Sequence, residues 1–100
     1  MGKAENNITK RIKDFLKSKE IWHVKYFANA FTSVGIPDIL ACVKGYFVGI
    51  EVKTDTGVVS EIQKYQGEKI QQSGGKWYVV RPNNFDDFKQ DIKRMLGNNE

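Results

Sequence analysis

The sequence predicts a layered α/β fold with its elements in the order α, β, β, β, α, β, α, and three observations predict it. Two apolar, β-branched and aromatic runs flank Lys44-Gly45 and read as a hairpin, because a glycine in the second turn position takes a positive φ without steric cost. Both faces of that hairpin are apolar, with Leu40, Cys42 and Phe47 on one and Ile39, Ala41, Val48, Ile50 and Val52 on the other. A sheet apolar on both faces is normally covered by helices on both. Finally, stretches on either side of the hairpin carry helical periodicity or helix-capping signals.

Taken in order, Ala4 to about Ser18 is an amphipathic helix, since Ile8, Ile12, Phe15 and Leu16 recur at helical spacing. Ile21 to Phe27 reads as a first strand, followed by a connection up to Gly35. Asp38 to Val43 and Tyr46 to Lys53 are the hairpin strands, and Thr54 to Val59 is a polar, glycine-containing loop. The Ser-x-x-Gln of Ser60 to Gln63 opens the next helix as a capping box, and Gly74-Gly75 stops it. Trp77 to Val80 is a fourth strand closed by Pro82. Asn84 can cap a last helix that carries Phe85, Phe88, Ile92, Met95 and Leu96 on one face and ends at Gly97.

One hundred residues make a single domain with one core, and 40% hydrophobic residues describe an ordinary globular chain. The polar Met1 to Asn7 predict no secretory signal, and no run is long enough to span a membrane. A single cysteine, Cys42, cannot form an internal disulfide and reads as a small core residue, which fits a reducing, cytoplasmic setting. Sixteen Lys and Arg against twelve Asp and Glu give a net charge of +4, a bias that suits a polyanionic partner. Lys3, Lys10, Arg11, Lys13, Lys17 and Lys19 concentrate this charge on the first helix, where they either solvate it or contact phosphate.

The hairpin also sets up a chemical conflict. Val43 facing Tyr46 puts Leu40 opposite Gly49 and Asp38 opposite Glu51. Directly opposed side chains have Cβ atoms about 4.5–5.5 Å apart, where like charges repel. A divalent cation between the carboxylates resolves that repulsion, because hard cations such as Mg2+ are held by one or two carboxylates with water completing the shell. Lys53 lies on Glu51's face by the two-residue period of a strand. A carboxylate pair, a cation and an ammonium suit phosphodiester hydrolysis. Glu5, three residues before Ile8, has two readings: it complements the helix dipole, or it points over the sheet toward the acidic pair. His23 alternates with Trp22 and Val24 and is assigned no role.

Gly35-Ile-Pro-Asp38, a hairpin and Glu51-Val-Lys53 resemble the PD-(D/E)XK nuclease motif. Within that superfamily the chain resembles the virus-type replication-repair nucleases (VRR-NUC), in their small stand-alone phage and bacterial form, from Glu5 to Val80. The resemblance implies an α/β, restriction-endonuclease-like core: a mixed four-stranded sheet flanked by helices, αβββαβ with a C-terminal helix. It further implies a Mg2+- or Mn2+-dependent DNA endonuclease, with Asp38, Glu51 and the Val52 carbonyl on the metal, Lys53 on the water and Glu5 completing the site. Gln63 matches the family's helix glutamine, although a capping box explains it equally well. Small members are similar to Holliday junction resolvases, homodimers that cut four-way junctions with paired nicks in DNA repair or recombination.

With no helix-turn-helix or zinc ligands to read bases, DNA shape and phosphate spacing are the expected cues. Tyr26, Phe27, Phe31 and Trp77 are candidates for a dimer surface. Two other readings stay open at this point: the same chemistry on flaps, nicks or DNA ends, and a non-catalytic nucleic-acid-binding module of the same fold. Two opposed carboxylates argue against the module, because they repel phosphate unless a cation intervenes.

Overall fold

The computed structural model describes residues 2–29 and 32–97. Helix α1 (Lys3–Ser18) leads into strand β1 (Trp22–Lys25), and the hairpin follows as β2 (Ile39–Val43) and β3 (Tyr46–Val52). Helix α2 (Glu61–Gln72) connects to β4 (Lys76–Val80), and a turn of 3-10 helix (Pro82–Asn84) precedes α3 (Phe85–Met95). The sheet has the order β1-β2-β3-β4. Its first two pairings are antiparallel, whereas β3 and β4 run parallel through the α2 crossover, so the sheet is mixed.

Lys44 (φ 51°) and Gly45 (φ 85°) both adopt the left-handed conformation of a type I′ turn, whose twist matches that of the strands it joins. The register follows: Val43 pairs with Tyr46, Leu40 with Gly49 and Ile39 with Ile50. One face of the sheet, carrying Ile39, Ala41, Val43, Val48, Ile50, Val52 and Val80, packs against Ile8, Ile12 and Leu16 of α1 and Phe85, Phe88 and Ile92 of α3. Edge-to-face rings extend this core, with Phe88 5.3 Å from Tyr78 and 6.2 Å from Phe15.

The opposite face departs from the sequence reading. Helix α2 covers its β3–β4 half, where Gly67 lies so close to Trp77 that a Cβ would come within 2.2 Å of the indole. Over β1 and β2 that face is open: Trp22 is 63% exposed, Val24 41% and Phe47 45%. Cys42, paired with Trp22 and Phe47, is therefore exposed and not a core residue. The physical reason is that α2 is tied to β3 and β4 at both its ends, and among the described residues no further helix covers the remaining half.

Several boundaries and one cap also differ. Strand β1 is shorter than Ile21 to Phe27, although the Tyr26 N–H still donates to the Asp38 carbonyl at 2.8 Å. Asp38 stands just before β2 and Lys53 just after β3. Asn84 does not cap α3 with its side chain. Its amide instead accepts from Arg81 N (2.7 Å) and donates to the Val79 carbonyl (2.8 Å), because the 3-10 turn places it over the end of β4. Among the described residues no helix is long and apolar enough to cross a membrane.

Candidate active site

Asp38 is positioned by the segment before it. Gly35 adopts φ +77° and passes so close to α2 that a Cβ would come within 2.7 Å of the Ile62 carbonyl oxygen. Gln66 of α2 donates to the Val34 carbonyl at 3.0 Å. Pro37 is fully buried against Gly49, where a Cβ would meet its ring at 2.8 Å. The chain thus reaches β2 with Asp38 at the end of the ladder, one rung beyond the Ile39–Ile50 pair and opposite Glu51. There the Val52 N–H donates to Asp38 Oδ2 at 2.8 Å. The next rung would set Val52 opposite Pro37, which has no N–H to offer the Val52 carbonyl.

Glu51 is 1% exposed, on the sheet face beneath the start of α2. Its Oε1 accepts from Gln63 Nε2 at 2.9 Å. Gln63 is at the same time the third residue of the capping box: its Oε1 accepts from Ser60 N (2.9 Å) while Gln63 N donates to Ser60 Oγ (3.2 Å). Since a backbone N–H can only donate, the oxygen end of the amide faces Ser60 and its NH2 end is committed to Glu51. The capping role and the site role are therefore one arrangement.

Glu51 Oε2 is buried and has no hydrogen-bond partner among the described residues. Burial, then the charge and close approach of the Asp38 carboxyl, push the Glu51 carboxyl up to about 8, while Lys53 and Lys25 pull it down. Two ionised carboxylates offer each other only acceptors, so either a proton or a cation has to occupy the space between them. The donor set fits a hard divalent cation on these grounds: an orphaned carboxylate oxygen, a facing carboxylate and a carbonyl that its strand neighbour cannot satisfy.

Lys53 is half-buried and stands within electrostatic reach of Glu51, as its downward pull on that carboxyl requires. The loop after it is clamped from below: Arg81 Nη1 donates to the carbonyls of Thr54 and Gly57, each at 2.7 Å, and Asn83 N donates to Asp55 Oδ1 at 2.9 Å. Gly57 runs alongside the Lys53 stem, a Cβ there falling 3.4 Å from Lys53 Cδ.

The structure thus brings Asp38, Glu51 and Gln63 together, with Lys53 beside them. Glu5 is half-buried in the first turn of α1, and no three His, Cys, Asp or Glu side chains among the described residues converge to hold a metal ion. The register of the sheet cannot reach a helix residue, so Glu5's spacing to Ile8 left its direction undetermined. Sequence reasoning missed Lys25, whose Nζ lies 3.9 Å from Asp38 Oδ1. Only the β1–β2 register, which pairs Lys25 with Ile39, reveals it.

Elsewhere, part of the basic charge on α1 is used internally. Lys10 pairs with Asp14 at 2.7 Å, and the Arg11 guanidinium stacks 4.6 Å over Phe85. His23 Nδ1 is 2.8 Å from the Ile21 carbonyl. Of the aromatic candidates, Phe27 is 76% exposed, Tyr26 and Trp77 are partly buried, and Phe31 lies outside the described residues.

The raised Glu51 pKa gives a pH signature. The folded protein holds a proton there that the unfolded chain releases near 4.5, so stability without added metal falls as pH rises from about 4.5 to about 8. A cation must displace that proton, so its affinity is expected to rise about tenfold per pH unit in the same window and to level off above pH 8. Titrating Mn2+ by calorimetry in buffers of different ionisation enthalpy checks this through the number of protons released. No protein-family model, curated protein or solved structure matches the chain.

Proposed function

We propose that this chain is a metal-dependent endodeoxyribonuclease that hydrolyses phosphodiester bonds in branched DNA, resolving Holliday junctions by paired nicks. The observation that carries the reading is the buried, partnerless Glu51 Oε2 facing Asp38 with an ammonium on hand. A structural carboxylate at 1% exposure would have its oxygens satisfied; this one holds one oxygen fixed by Gln63 and leaves the other for a cation. The likeness of Gly35-Ile-Pro-Asp38 and Glu51-Val-Lys53 to the VRR-NUC motif, on a mixed four-stranded sheet compatible with a PD-(D/E)XK core, agrees with it.

In this reading Asp38, Glu51 and the Val52 carbonyl hold Mg2+ or Mn2+, which when bound polarises the phosphate and lowers the pKa of a coordinated water. The chain's own residues do the rest. Gln63 fixes the rotamer of Glu51, the Val52 N–H fixes that of Asp38, and Glu51 gives up its proton as the cation binds. Lys53 orients the attacking water and offsets the charge that develops on the phosphorus-bound oxygens. Glu5, in the first turn of α1, is the further acidic residue that the VRR-NUC likeness adds to the site. One such site cuts one strand, so paired nicks require two protomers about a dyad.

The test is cleavage of a labelled immobile four-way junction in Mg2+, beside a linear duplex of the same sequence and with Asp38→Ala as blank. Paired symmetric nicks in the junction alone, absent in the variant, are the expected result. Equal cutting of both DNAs reduces the protein to a general nuclease. Binding without cutting makes it a non-catalytic module.

A further inference from the structure

Lys25 occupies an unusual position for a strand lysine. Its side chain is only 17% exposed, and its Nζ lies both 3.9 Å from Asp38 Oδ1 and 5.3 Å from the centre of the Phe27 ring. Both contacts are loose: the first is beyond hydrogen-bond length, and the second is a cation–π contact near its outer range. Asp38 is meanwhile tightly held on its other oxygen, by the Val52 N–H at 2.8 Å. The ammonium therefore stands between a carboxylate fixed in place and an exposed aromatic ring at the rim of the site.

We propose that Lys25 is a relay cation: its ammonium and a divalent cation compete for Asp38 Oδ1, and the ammonium displaced from that oxygen moves along Phe27 to a DNA phosphate at the rim. This rests on the metal-site reading above. Like charges beside one oxygen each weaken the other's hold, and a neighbouring phosphate gives the displaced ammonium a new anionic partner. Lys25 is thus a positioning residue, coupling cation uptake to DNA engagement. A lysine that merely braced Asp38 would act in the opposite sense, because its loss would loosen the carboxylate and weaken cation binding.

The experiment compares wild type, Lys25→Met and Lys25→Arg. Methionine keeps the apolar stem and removes the charge, whereas arginine retains the charge and controls for packing. Calorimetric titration with Mn2+ alone, without DNA, is expected to give about tenfold tighter binding for Lys25→Met and wild-type-like binding for Lys25→Arg. Junction binding in saturating Ca2+ is expected to weaken several-fold in Lys25→Met, with the salt slope lower by about one, and to recover in Lys25→Arg. Unchanged or weaker Mn2+ binding by Lys25→Met, with wild type binding normally, overturns the competition while leaving the metal site standing. Unchanged junction affinity overturns the transfer to phosphate. Wild type that takes up no Mn2+ overturns both the relay and the metal site beneath it.

Discussion

Glu51→Gln is expected to abolish divalent-cation uptake and to lower DNA cleavage by roughly three orders of magnitude or more, while making the metal-free protein more stable at high pH. The two effects have one cause. Above pH 8 the native Glu51 is a buried anion facing Asp38, with Oε2 unsatisfied. Glutamine has the same shape, can still accept from Gln63 Nε2, and can donate its own NH2 to Asp38. Removing the charge at pH 9 should add on the order of 2 kcal/mol of stability. Near pH 4.5, where the native carboxyl is already protonated, the gain should vanish. Thermal melts in chelator across this range check the sign, and a variant equally or less stable at pH 9 would contradict the assignment of Glu51 as a strained, buried acid.

Gly35→Ala should lower stability by roughly 3 kcal/mol or more, because two penalties coincide. The first is the left-handed backbone, φ +77°, which a Cβ disfavours. The second is contact with rigid neighbours: the new Cβ would lie 2.7 Å from the Ile62 carbonyl oxygen and 2.9 Å from its carbon, and helical backbone cannot step aside. Gly45→Ala separates the two, since Gly45 has φ +85° with nothing within 4 Å of the Cβ position. It should lose only the conformational part, about 1 kcal/mol. Denaturant melts of both variants provide the comparison, and equal losses would show that the approach to Ile62 is not tight.

The parts of the molecule legible in the sequence are those governed by local geometry. Lys44-Gly45 set the hairpin register, the register put Asp38 beyond Ile39 and level with Glu51, and Ser60 to Gln63 announced both the helix start and its cap. What escaped depends on where elements dock. Exposure of Cys42 follows from α2 covering only half a face, which no periodicity encodes. Lys25 comes near Asp38 at the end of the β1–β2 ladder, where its partner Ile39 is Asp38's chain neighbour, a register not set by a tight turn. Glu5 illustrates the same limit from the other side: its position on α1 was clear, but the direction of its side chain was not. Asn84 was read as a cap because the 3-10 turn that redirects its amide has no strong sequence mark.

The Gln63 amide has a consequence for the dynamics of the protein. One end of this group closes the first turn of α2 and the other holds Glu51, so neither task can be released separately. Fraying of that turn, the commonest local opening of any helix, also unlatches the carboxylate. The first turn of α2 and the acidic pair therefore form a single opening unit, and amide hydrogen exchange at Gln63 and Lys64 becomes a clock for how often Glu51 is free to turn.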